Sequence, residues 1–208
     1  GDVGVRFYAG PFVLSGMMFA LAAALVWALL RPDPLITART LLETPATTGT
    51  AGKPVGLAGA WRVVSDNPSA RLRVSSVGVG HLVMVAVMSM TPVHINDSGG
   101  HSHSTVLQTV GIVLSLHIAG MYALSPVMGM LTDRLGRRPV ILIGLGLLLA
   151  GCAVAGTAGA GVVRLAVGLT ILGLGWSALM VGGSTLLSES VDIAARPAVQ
   201  GLNDIAMG

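Results

Sequence analysis

Charge is what this chain of 208 residues has least of: 10% are Asp, Glu, Lys or Arg, where a soluble domain carries about a quarter. Between Asp97 and Asp133 there is not one such side chain, and there is none between Arg138 and Arg164. Aromatic residues are scarce, at 4%, and the basic residues stand beside apolar runs, so the net charge of +3 reads as membrane topology and not as a nucleic-acid footprint. The single cysteine, Cys152, falls inside an apolar run, which excludes a disulfide framework and a Cys metal site. Nothing resembles a nucleophile with its base, a Walker loop or a His-Glu-x-x-His zinc site. The chain is not expected to be an enzyme, and no cofactor is expected.

What is present points to lipid. Hydrophobic residues make up 53% of the chain, and 29 residues are glycine, about twice the ordinary share. Small residues suit membrane helices, because lipid supplies no hydrophobic force between them and association depends on close backbone packing. The expected class is an all-α integral membrane protein.

In chain order, Phe7 to Leu30 carries no charge and at 1.5 Å per residue reaches roughly 36 Å, enough to cross a bilayer with tilt. Arg31, Pro32 and Pro34 end it. From 31 to 73 Thr, Pro and Gly are frequent and periodicity is weak, which reads as a linker; Asp66-Asn67-Pro68 reads as an N-cap with Pro in the first turn of a helix that runs into the next span. Spans follow from Val74 to Asn96, with His81, His94 and a loosening Pro92, and from Thr105 to Met130, with His117, Gly120 and a kink at Pro126. Two more run from Val140 to Gly156 and from Val162 to Ser188, where Gly146, Gly151, Gly156, Gly168, Gly173, Gly175, Gly182 and Gly183 are the expected points of close approach. A sixth begins after Pro197. The chain opens on Gly1 and stops a few residues into that helix, so the expectation is a fragment without a signal peptide.

The element that organises these runs is Gly129-Met-Leu-Thr-Asp133-Arg134-Leu-Gly136-Arg137-Arg138-Pro139, a charged knot between two spans. Gly129 permits a close neighbour, Gly136 a positive φ, and Asp133 is an acceptor among three guanidinium groups that cannot lose their charge. This pattern resembles the signature loop of the major facilitator superfamily, which in that family is cytoplasmic and joins helices two and three and again helices eight and nine. The resemblance covers essentially the whole chain. It implies half of a 12-helix major facilitator fold: 1–30 as family helix six, 31–73 as the cytoplasmic linker, and 74–208 as helices seven to ten with the start of eleven, in an actinobacterial-type multidrug or metabolite carrier.

With the signature loop inside, Arg31, Arg39, Lys53, Arg62, Arg71, Arg73, Arg134, Arg137, Arg138 and Arg196 all fall inside, ten of the twelve basic residues, and Arg6 and Arg164 outside. The expected location is the cell membrane, multi-pass, with loops 31–73 and 129–139 cytoplasmic. Glu189 and Arg196, seven apart, form a candidate charge pair at the inner end of the fifth span, similar to a motif of the family's sugar porters that pairs with the signature-loop arginines; an ordinary solvated helix end fits the spacing equally well. His101 and His103 in a polar turn make a poor metal site. His94, His117 and Asp204, ionisable groups within or beside spans, are candidates for a substrate or proton path. Asp204 stands about 10 Å along a helix starting at Pro197. The expected function is secondary active transport of a small solute by alternating access, with proton coupling. The partners are that solute, protons, the bilayer and an amino-terminal half of the same chain, with no nucleic acid. A non-transporting scaffold or sensor on the same fold is the alternative.

Overall fold

The computed structural model describes residues 10–31, 55–97 and 103–207, whose regular structure is helical throughout. The chain divides into two units, Gly1–Ala51 and Gly52–Gly208. The first contains α1 (Gly10–Leu29), with a mean hydropathy of 2.2 over Phe12–Leu29. The first charge after that run, Arg31, lies 4.2 Å over the Trp27 ring, so the guanidinium rests on an aromatic face at the helix end.

The second unit contains α2 (Leu57–Asp66), α3 (Pro68–Asp97), α4 (His103–Tyr122), α5 (Ser125–Leu135), α6 (Arg137–Gly156), α7 (Val162–Ser190) and α8 (Arg196–Met207). Counting α4 and α5 together, five segments of the described chain are long and apolar enough to cross a membrane. α7 is the axis: 67% of its most apolar window is buried, against 28% or less for the others. Leu165, Leu169, Leu172, Trp176, Leu179 and Leu186 of α7 form one core with Val77 of α3, Val113 of α4, and Ile141 and Leu148 of α6.

Glycine makes that contact possible. A Cβ at Gly175 would stand 2.8 Å from the Gly144 carbonyl oxygen, one at Gly151 2.8 Å from the Leu172 nitrogen, and one at Gly173 would overlap the His117 carbonyl. At Gly146, Gly156 and Gly129, also expected to be close-approach points, a Cβ meets nothing within 4 Å among the described residues. The reason is helical phase. Gly144 and Gly151 are seven apart and share a face of α6, whereas Gly146 is turned some 200° from Gly144.

The start of α3 is built as its sequence suggests. Asn67 Oδ1 accepts from the backbone nitrogens of Ser69 at 2.9 Å and Ala70 at 3.2 Å, and Pro68 follows in the first turn. Part of the stretch read as linker is nevertheless ordered. α2 buries Ala60 and Val64 against Leu187, Val191, Ala195 and Val199 and exposes Leu57 and Trp61.

Proline acts differently at its two interior sites. α3 continues through Pro92 to Asp97, with the preceding Thr91 hydroxyl donating to the Val87 carbonyl at 2.8 Å. At Pro126 the expected kink is a full break. α4 ends at Tyr122, and α5 restarts at Ser125 with the proline in its first turn, where a missing N–H costs nothing.

Candidate functional site

The signature loop is two helix ends joined through one residue. Gly136, at φ 90°, is both the cap of α5 and the residue before α6, and its N–H donates to the Thr132 carbonyl at 3.0 Å. This is the backbone conformation that glycine adopts without strain. Thr132 is itself buried, its hydroxyl bonded to the Met128 carbonyl at 2.7 Å, so the turn has a rigid floor.

Two consecutive arginines leave this turn in different directions. Arg137 reaches back with Nη1 to the Thr132 carbonyl at 3.4 Å and across to α7, where Nε and Nη2 lie 3.1 and 2.5 Å from Glu189 Oε1. Arg138 donates from Nη2 to the Ser69 hydroxyl at 3.2 Å, in the first turn of α3. Asn67, which caps α3, donates through Nδ2 to the Ser190 carbonyl at 2.7 Å, at the end of α7. One end of the bundle is thus laced: the starts of α3 and α6 are tied to each other and to the end of α7. Asp133 and Arg134 are exposed and make no ion pair among the described residues.

Glu189 and Arg196, read as one charge pair, do not meet. Their seven-residue spacing is two helical turns only if the helix is continuous, and α7 ends at Ser190 with Val191 extended. Glu189 takes Arg137, one of the signature-loop arginines with which the resembled motif pairs, and Arg196 Nε donates to the Val191 carbonyl at 3.0 Å, closing the bend between α7 and α8.

The interior histidines both meet backbone. His117 is 2% exposed, and its Nδ1 donates to the Leu169 carbonyl at 2.8 Å. His94 Nε2 donates to the Gly159 carbonyl at 2.7 Å, joining the end of α3 to the α6–α7 turn. Each bond places a proton on the named nitrogen. His101 and the side chain of His103 lie outside the described residues. Asp204 is at the surface of the described bundle, where Oδ1 accepts from Gln200 Nε2 at 2.8 Å and Asn203 Nδ2 at 3.5 Å.

One residue was assigned to the linker and belongs to the interior. Arg73 is 0% exposed; Nη2 reaches the Ser184 hydroxyl at 3.4 Å, and Nε and Nη1 have no partner among the described residues. A Cβ at Gly183 would strike its side chain at 2.5 Å, so the glycine makes room for the guanidinium. The sequence held a usable signal. Once α3 starts at Pro68, Arg73, Ser76, Val77 and Gly80 fall at helical spacing on one face, all buried, while Arg71 points out. The ring of His81, one residue beyond Gly80, lies 5.3 Å from that of Trp176.

Comparison with known proteins adds the family dimension. The model of the Major Facilitator Superfamily matches residues 100–208. Two uncharacterized MFS-type transporters of Bacillus subtilis (strain 168) are similar: YdeG, 37% identical across 98% of this chain and 46% of its own length, and YddS, 34% identical across 99% and 46%. The riboflavin transporter RfnT of Brucella anthropi is 26% identical across 96% of this chain and 46% of its own. The chain therefore spans about half the length of the curated relatives it matches. No solved structure matches it.

Proposed function

Because the chain belongs to the major facilitator superfamily, a family of transporters and not of enzymes, we propose that it is one bundle of a secondary carrier moving a small solute by alternating access. The chain is a multi-pass membrane protein. In this reading 31–73 is the linker between bundles, its last residues from Pro68 on already in the first long helix of the bundle, 74–208 is the rest of the carboxyl-terminal bundle, and an opposing bundle from the same chain completes the site. The observation that carries the reading is the laced end. Arg137 and Glu189 are 29% and 50% exposed, so their pair is held in a solvated setting where ion pairs break at low cost. The pair joins α6 to α7 within one bundle, and the exposed Asp133 and Arg134 beside it are left for the opposing bundle, whose contacts open and close in alternating access.

The solute is small, and proton coupling runs through Asp204, with the buried His117 and the half-buried His94 acting as packing residues. Riboflavin, which names the Brucella anthropi relative, is the first probe. In liposomes holding the full-length protein under an imposed proton gradient, riboflavin or a member of a panel of small metabolites and drugs should accumulate, and a protonophore should abolish the accumulation. Accumulation indifferent to the protonophore removes proton coupling; none with any solute at any gradient overturns the carrier reading.

The loops 31–73 and 129–139 face the cytoplasm in this reading, on the ten-to-two distribution of basic residues. Thr132 is buried and unsuited to labelling, but Arg134 is exposed. In a Cys152→Ala background, Arg134→Cys should react with an impermeant maleimide only after cells are permeabilised. Reaction in intact cells reverses the topology.

A further inference from the structure

Arg73 is a permanent charge inside the bundle with two of its three nitrogens unmatched. A guanidinium does not solve this by losing its proton, and an unpaired buried charge is among the costliest things a fold can hold. The fold nevertheless prepares its place, with Gly183 leaving room for the side chain and Ser184 offering one weak acceptor. What is missing is an anion.

Asp204 is the acid of α8, the helix that packs against α3. It does not touch the guanidinium here: Asp204 is exposed, and Gln200 on the same helix donates to its Oδ1. Beside it, Asn203 is 0% exposed and its Oδ1 has no partner. α8 therefore carries an unmatched acceptor and a carboxylate on consecutive residues, and α3 carries unmatched donors. Successive helical residues differ by about 100° about the axis, so turning α8 by that much puts Asp204 where Asn203 now lies. The two helices are already in contact, with a Cβ at Gly78 lying 3.8 Å from that of Ala206.

We infer that Arg73 and Asp204 form a charge pair between α3 and α8 that is made in one state of the protein and open in the state seen here, with Gln200 holding Asp204 aside. Arg73 is then a positioning residue that sets where α8 rests. The pair gives the carboxylate invoked for proton coupling a counter-charge, and its place in a transport cycle rests on the carrier reading.

The test uses the full-length protein and needs no solute. Arg73→Gln and Asp204→Asn should each lower the thermal midpoint by about 5 °C or more, and the double variant should regain most of the loss, because removing both charges leaves neither unpaired. Arg73→Lys, which keeps the charge, should lose less than Arg73→Gln. Should Arg73→Gln alone fail to accumulate, the double variant should restore accumulation. Additive losses, a wild-type midpoint for Asp204→Asn, or a double variant no better than Arg73→Gln overturns the pair.

The two-state aspect has its own readout. In a Cys152→Ala background, Gly78→Cys with Ala206→Cys has disulfide-compatible spacing. Its oxidation rate should change at least threefold when Asp204→Asn is added; an unchanged rate sinks the switch. A full-length protein that carries no solute but shows the coupling would strike the carrier reading and leave the pair. Transport with additive midpoints would do the opposite.

Discussion

Gly173→Leu is expected to reduce the membrane abundance of the full-length protein at least about tenfold, while Gly146→Leu leaves it within about twofold. The two glycines look alike in the sequence, each in a long apolar helix. A side chain at Gly173 collides with the His117 carbonyl and comes within 3.2 Å of the Met121 nitrogen, whereas at Gly146 it meets nothing within 4 Å. Overpacking costs about 1–3 kcal/mol where side chains can yield. Here the obstacle is backbone, so α4 and α7 must separate, and the bond from His117 to the Leu169 carbonyl one turn away is strained with them. In lipid no hydrophobic force recloses the gap, since the tails are as apolar as the side chains. About 1.4 kcal/mol is already a tenfold change in an equilibrium. Immunoblotting of isolated membranes with a detergent melting curve reads the result; wild-type abundance and midpoint for Gly173→Leu would mean that α4 and α7 are not packed this closely.

The second large effect separates two acids of the knot. Asp133→Asn is expected to reduce transport in the full-length protein by about tenfold or more with abundance unchanged, and Glu189→Gln to lower both. Asp133 is exposed and makes no ion pair among the described residues, so its removal leaves the bundle intact. A loss of transport must then come through a contact made outside the bundle, which would make Asp133 a latch on the opposing bundle. Glu189 is different. It takes two donors of Arg137, and without it that guanidinium keeps only the long bond to Thr132, loosening the laced end as a structural unit. Uptake of whichever solute the liposome assay identifies, normalised to protein in the membrane, decides the matter. An equal fall of transport and abundance in Asp133→Asn would make it a folding residue and remove the latch.

The spans, their ends and the knot were legible in the sequence because each depends on a local quantity. Hydropathy along 18 or more residues sets where a helix can cross a bilayer, with no neighbour needed. Asn67-Pro68, Gly136 and the 157–161 turn are punctuation of the same local kind: a side chain that caps its own helix, a residue that accepts φ 90°, a short polar break. Even α8 was foreseeable from Pro197, and α2 was missed because its ten residues, though amphipathic, form a short segment set amid Thr, Pro and Gly.

What tertiary structure alone decided was direction around each helix and partner across helices. Gly144 lies in contact and Gly146 does not; Arg73 turns inward and Arg71 outward; Glu189 takes Arg137, 52 residues away, among the three arginines of the signature loop. In a soluble helix a polar face and an apolar face announce the rotation. In these spans the whole circumference is apolar, facing lipid on one side and protein on the other, so the pattern that would reveal phase is nearly absent, and close packing settles it.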